Sequence, residues 1–179
     1  MSGLIGSIGS PSGIIGRRSD NQIWCRMVMH NSGGAQGFTS AAQTKVGLDA
    51  VKESYGLGMG DTSNEYMVVP TGLSGWWLVT FQVSYYTASN NITDHYTKID
   101  VQRGGSSVEK IGGYHSITDT GGTRHAMDTS SKIVNLLAGD ILILYGRSDG
   151  TNPVFFYGDD SGTYQTYMQA IKINDSTVS

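Results

Sequence analysis

At 179 residues and a formal net charge of −3, the chain suits one domain plus an arm, and the charge gives no electrostatic case for nucleic acid or an acidic membrane surface. No stretch approaches the ~20 apolar residues of a membrane span, and a single cysteine, Cys25, excludes an intrachain disulfide and fits assembly in a reducing cytoplasm. With 25 glycines, 3 prolines and 10 tyrosines, turn formers and strand formers dominate, which favours an all-β domain with tight loops.

The chain opens MSGLIGSIGSPSGIIG, with glycine at Gly3, Gly6 and Gly9, a slip of one, and glycine again at Gly13 and Gly16. Ser2-Gly3-Leu4-Ile5-Gly6 and Ser12-Gly13-Ile14-Ile15-Gly16 are near copies. A signal peptide is not expected, because there is no basic start and no apolar run approaching about 7–15 residues. Collagen is excluded by the slip and the low proline content. Residues 1–20 therefore read as an extended N-terminal anchoring arm. Its apolar residues Leu4, Ile5, Ile8, Ile14 and Ile15 would grip a partner surface. Gly3, Gly6, Gly13 and Gly16 would be its joints.

Residues 21–179 read as the folded domain. A strand is expected over 23–30, then a turn at Asn31-Ser32-Gly33-Gly34. Short strands follow over 44–51 and 66–70. The segment 72–86 carries Trp77, Val79, Phe81, Val83 and Tyr85 at period two, an unbroken apolar stripe. Strands near 96–102 and 108–115 flank Arg103-Gly104-Gly105-Ser106-Ser107, a hairpin signal. Residues 132–137 lead through the turn Ala138-Gly139-Asp140 into 141–145, and 164–173 forms the final strand. Helix is expected only as a turn or two near Ala41-Ala42. The pattern predicts a two-sheet antiparallel sandwich, a jelly roll.

A strand in a lone sandwich shows one face to the core and one to water. Residues 23–29 and 141–145 are apolar on both faces, and Trp76 and Leu78 lie opposite the main stripe. Another copy of the chain is the economical cover, with Trp24, Trp76, Leu78, Leu142 and Leu144 expected at the interface.

Chemistry-bearing motifs are sparse. The four histidines form no HxxH or HxxxH pair and no cysteine cluster exists, so no metal site or cofactor is expected. Asp94-His95 reads as a surface loop pair, not a catalytic dyad. There is no Gly-x-Ser-x-Gly elbow, and the carboxylates are scattered over loops, so no enzyme is expected. Asp149-Gly150-Thr151-Asn152 and Asp159-Asp160-Ser161-Gly162 are oxygen-rich but do not supply the six to eight ligands of calcium, and read as solvated turns. The aromatic-rich stretch 85–96 is either a sugar-binding platform or two strand ends flanking a loop.

Three segments carry a family resemblance over about residues 24–173. Val69-Pro70-Thr71-Gly72-Leu73-Ser74-Gly75-Trp76-Trp77 resembles a "VP-x-x-G-x-Y" strand segment, with a two-residue insertion before the aromatic. Val134-Asn135-Leu136-Leu137-Ala138-Gly139-Asp140-Ile141-Leu142-Ile143-Leu144 resembles "v-x-L-x-x-G-D-x-v-x-l". Thr163-Tyr164-Gln165-Thr166-Tyr167-Met168 resembles a closing "T-Y-F-x-G-x" strand without its glycine. These are similar to the complement-head and tumour-necrosis-factor-like jelly rolls. That resemblance implies a homotrimer whose inner sheet lines the threefold axis. The arm resembles the start of virion proteins of tailed phages. It implies a structural virion protein, made in the bacterial cytoplasm and displayed on the virion surface. The leading expectation is a trimeric capsid decoration (cement) protein bound to the major capsid protein or another virion protein. The alternative is a receptor-binding tip of a tail fibre or spike that recognises host glycans.

Overall fold

A computed structural model describes residues 22–30, 35–38, 42–54, 57–87, 92–116, 124–150, 154–158 and 165–174. The anchoring arm expected over 1–20, with Gly3, Leu4, Ile5, Gly6, Ile8, Gly13, Ile14, Ile15 and Gly16, lies outside them. So do the turn at Asn31–Gly34 and the Asp159–Gly162 loop. All regular elements among the described residues are strands: β1 (Trp24–Val28), β2 (Ala35–Phe38), β3 (Thr44–Lys45), β4 (Ala50–Glu53), β5 (Gly60–Asp61), β6 (Tyr66–Val68), β7 (Gly75–Thr87), β8 (Ile92–Arg103), β9 (Ser106–Ser116), β10 (Arg124–Leu136), β11 (Ile141–Gly150), β12 (Val154–Tyr157) and β13 (Tyr167–Asn174). They form two antiparallel sheets, as expected of a jelly roll.

The first sheet is built on β7. Along one edge β7 pairs with β10 from Gly75↔Leu136 to Thr87↔Arg124. Along the other, β13 takes its first half and β12 its last residues. β1 and β4 extend the sheet beyond β13, and β2 extends it beyond β12. The second sheet runs β5-β6-β11-β8-β9, with β3 also on β11.

The period-two stripe on β7 drives this arrangement. Trp77, Val79, Phe81, Val83 and Tyr85 are all closed off from solvent. They share one core with Ile99, Val101, Leu142 and Leu144 of the second sheet. Burying such side chains contributes about 1.5–3 kcal/mol each, which offsets the cost of ordering long strands. The β8–β9 hairpin turns at Gly104-Gly105, both with positive φ (57° and 81°), the pair of left-handed residues that a tight hairpin requires.

Several expectations are corrected. Residues 44–51 are not one strand: β3 pairs with β11 in the second sheet and β4 with β1 in the first. Between them the chain crosses the core edge with Val46 and Leu48 both fully buried, so the alternation persists while the hydrogen-bond partner changes. Ala42, near the expected helical turn, lies in a bend, and no helix occurs among the described residues. Asp149 and Gly150 end β11 instead of forming part of a loop. Strands β2, β5 and β12 were not apparent in the periodicity, being only two to four residues long.

The Gly139-Asp140 turn is tied by its carboxylate. Arg103 Nε and Nη2 donate to Asp140 at 2.8 and 2.7 Å, and the Leu137 N–H donates to Asp140 Oδ2 at 2.8 Å. Asp140 is buried while Arg103 is 44% exposed, so the backbone bond carries much of the value. Asp140→Ala removes these bonds and is expected to lower unfolding free energy by about 2–3 kcal/mol, read from urea denaturation.

Cys25 is fully buried in the core. Burial, with Glu53 nearby, pushes its thiol far above the ordinary value of 9.0. The raised value means that its contribution to stability is complete below the usual thiol range and is lost as pH rises above it. The native protein is expected to be inert to a thiol-alkylating reagent at pH 8 and to react with one equivalent in urea, as measured by mass spectrometry.

Candidate interaction surfaces

The outer face of the first sheet carries an apolar row. Trp24, Ile171, Leu78 and Ile133 are successive cross-strand partners on β1, β13, β7 and β10. Such directly opposed side chains stand about 5 Å apart and act as a unit. Trp24, Leu78 and Ile171 are half-buried, and Ile133 is 49% exposed. Trp76 adjoins the row, paired with Asn135 and Asn174. One step the other way the row turns polar, with Arg26, Gln169, Thr80 and Ser131. There the Arg26 guanidinium lies 4.0 Å over the Tyr167 ring and donates to Gln165.

Trp24, Trp76 and Leu78 thus share the face expected of them. Leu142 and Leu144 do not. Both point from β11 into the chain's own core and are 0% exposed, so no second copy could touch them. The expectation had the apolar run on β11 right and its faces wrong: Ile141, Ile143 and Tyr145 occupy the outer side, with Ile143 only 9% exposed. Ile133 and Ile171 were missed. Each sits opposite the inward parity of its own strand, but only the pairing register brings them beside Leu78.

Behind this face, between the sheets, lies a polar cluster. Thr97 Oγ1 donates to Asp128 Oδ2 at 2.6 Å. A threonine hydroxyl has one proton, so Tyr85 Oη is the donor in its 2.6 Å contact with Thr97. His95 stacks on Tyr85 with ring centroids 4.8 Å apart, and Phe156 meets Tyr85 edge-on at 5.6 Å. Tyr85, His95 and Thr97 are 0% exposed and Asp128 is 1% exposed. His95 is therefore not in a surface loop, which corrects the reading of Asp94-His95: β8 sends His95 inward and Asp94 outward. Burial pushes the Tyr85 phenol well above its usual range, and the Asp128 charge adds to this. The phenol stays protonated and serves as a structural donor. Gly146 makes the close packing possible, since a Cβ there would strike the Phe156 ring and Tyr85 Oη.

The outer face of the second sheet carries a different surface. Arg147, Tyr96 and Tyr114 are successive partners across β11, β8 and β9. With Asp94 and His95 they line a hollow of about 220 Å³. Tyr114 is 62% exposed and Arg147 is exposed, whereas Tyr96 and Asp94 are half-buried. Tyr85 Oη reaches the Tyr96 carbonyl at 3.3 Å, so the buried cluster touches the backbone beneath this hollow. Tyr96 belonged to the aromatic stretch singled out in the sequence; Tyr114 and Arg147 did not.

Comparison with known proteins agrees with the topology. No family model matches the chain. No curated protein matches it. Among solved structures, it is similar to the crystal structure of murine APRIL at pH 5.0, with a TM-score of 0.54 and 14% identity over 84% of this chain and 98% of that one. APRIL is a jelly roll of the tumour-necrosis-factor type, and the likeness establishes that fold for this chain.

Two substitutions test the buried cluster. Thr97→Val leaves Asp128 and Tyr85 without their shared partner and is expected to cost about 1–3 kcal/mol. Gly146→Ala overpacks the same site and is expected to cost a similar amount, about 1–3 kcal/mol. Chemical denaturation followed by tryptophan fluorescence reads both.

Proposed function

We propose that this chain is a structural virion protein of a tailed phage, a homotrimeric capsid decoration (cement) protein without enzymatic activity. It is made in the bacterial cytoplasm and displayed on the virion surface. The observation that carries self-association is the Trp24–Ile171–Leu78–Ile133 row with Trp76 beside it. An ordinary interface removes about 800 Å² per partner, worth roughly 20 kcal/mol gross at about 25 cal/mol per Å² before association costs. Three copies is the number that the family resemblance implies. The arm residues Leu4, Ile5, Ile8, Ile14 and Ile15 would dock on the major capsid protein or another virion protein. After one arm of a trimer docks, the others bind at raised effective concentration.

A second reading, a receptor-binding tip of a tail fibre or spike, is favoured by the tyrosine-lined hollow on the opposite sheet.

Native mass measurement is expected to give a trimer for the intact chain. The double variant Leu78→Lys, Ile133→Lys is expected to give a folded monomer. An intact chain that stays monomeric at micromolar concentration overturns the self-association reading. Deletion of residues 2–16 is expected to abolish decoration of expanded capsids while leaving the oligomer intact. Full occupancy by the truncated chain would refute the anchoring arm.

A further inference from the structure

We infer that the hollow formed by Arg147, Tyr96, Tyr114 and Asp94 is a binding site for a single neutral sugar ring at the end of a glycan. The inference rests on the second reading in taking a glycan as the ligand; the geometry assigns the place of the site and the neutral, one-ring character of what it holds.

Three features converge. The first is the aromatic pair. Tyr96 and Tyr114 are directly opposed on β8 and β9 and stand on the outer face. One of them, Tyr114, a large ring two residues from the end of β9, is 62% exposed. Rings held this way present flat apolar area with a polar tip, which suits a ligand that is apolar on one face and hydroxylated at its edge. A pyranose has that character, with C–H groups on its faces and hydroxyls around its rim.

The second feature is the polar complement. Arg147 adjoins Tyr96 on one side, and Asp94 lies two residues from Tyr96 on the same face of β8. A guanidinium offers five N–H donors, so an interaction within the protein leaves others for a ligand. A carboxylate offers only acceptors. Adjacent sugar hydroxyls, which both donate and accept, can satisfy the two together. An acidic sugar would lose to Asp94 what it gains from Arg147, and a cationic ligand the reverse, so neither charge is favoured. The pair therefore selects a neutral, hydroxyl-rich partner. Nucleobases stack on tyrosines too, but the chain's net charge of −3 opposes the phosphates that would accompany them.

The third feature is size and rigidity. At about 220 Å³ the hollow lies below the about 300–1,000 Å³ of sites for drug-sized molecules, which limits it to one ring. All four residues sit on strands. The backbone at Tyr96 is further held by its ladder pairing with both β9 and β11. A site on strands keeps its geometry without paying to order a loop.

The test uses the intact chain on an array of immobilised glycans with terminal neutral hexoses, N-acetylhexosamines, sialic acids and uronic acids. Binding to one or more neutral-terminated glycans is expected. Tyr114→Ala and Arg147→Ala are each expected to weaken that binding at least tenfold, with thermal melting unchanged. Val108→Ala, an exposed position on the same strand as Tyr114, is expected to leave binding unaltered. No binding to any glycan overturns the glycan reading itself. Binding that Tyr114→Ala and Arg147→Ala retain leaves that reading standing and overturns this site. Binding confined to acidic sugars overturns the neutral assignment.

Discussion

The structure depends on one strand, β7, and on the fact that its two faces carry different demands. Its inward residues Trp77, Val79, Phe81, Val83 and Tyr85 are buried to 1% exposure or less, and they fix the register of everything packed against them. A slip of one residue would expel that stripe and bring in Thr80, Gln82 and Ser84. With β7 locked, β10 and β13 are locked beside it. Their outward residues Ile133 and Ile171 then fall beside Leu78. The apolar patch is thus a consequence of core packing, assembled from strands far apart in the chain.

The same strand controls the far end of the sandwich. Tyr85 closes the inward stripe, and its hydroxyl turns a would-be apolar end into a polar one. Thr97 accepts from that hydroxyl and donates in turn to Asp128, so the buried polar groups cost less than they would alone. This arrangement needs Gly146 on the opposing sheet, because no side chain fits beneath Tyr85 and Phe156. Removing one partner leaves the others buried and wanting, so the cluster specifies how β8 and β11 lie over β7.

The fold was legible because its signals are local. Alternation marked β7, the paired glycines marked the β8–β9 turn, and the Gly139-Asp140 turn separated β10 from β11. The face assignment on β11 was not legible. In Ile141-Leu142-Ile143-Leu144-Tyr145 both parities are apolar, so hydrophobicity gives no inward direction, and Leu142 and Leu144 were placed outside when they lie in the core. His95 was misread for a related reason: a buried polar residue with an aromatic neighbour has no one-dimensional signature. The outward parity of Trp76 and Leu78 was legible because both alternate with the unbroken inward stripe of β7. Tyr114 was out of reach, since only the β8–β9 register makes it a neighbour of Tyr96.

The two surfaces lie on opposite sheets, and this constrains how they can work together. A homo-oligomer closed through the outer face of the first sheet turns each second sheet away from the symmetry axis. The Tyr96–Tyr114 hollow then faces outward on every copy. A one-ring site binds weakly, because its small contact area must offset the freedom lost on association. Several such sites on the proposed assembly would act on a glycan-coated surface at high effective concentration, so the assembly would hold where a single copy would not. On the proposed assembly, Leu78 and Ile133 would therefore govern avidity without touching a sugar, while Tyr114 would govern the intrinsic affinity without touching the interface. The sandwich would separate these roles because each sheet spends one face on the core and leaves the other outward.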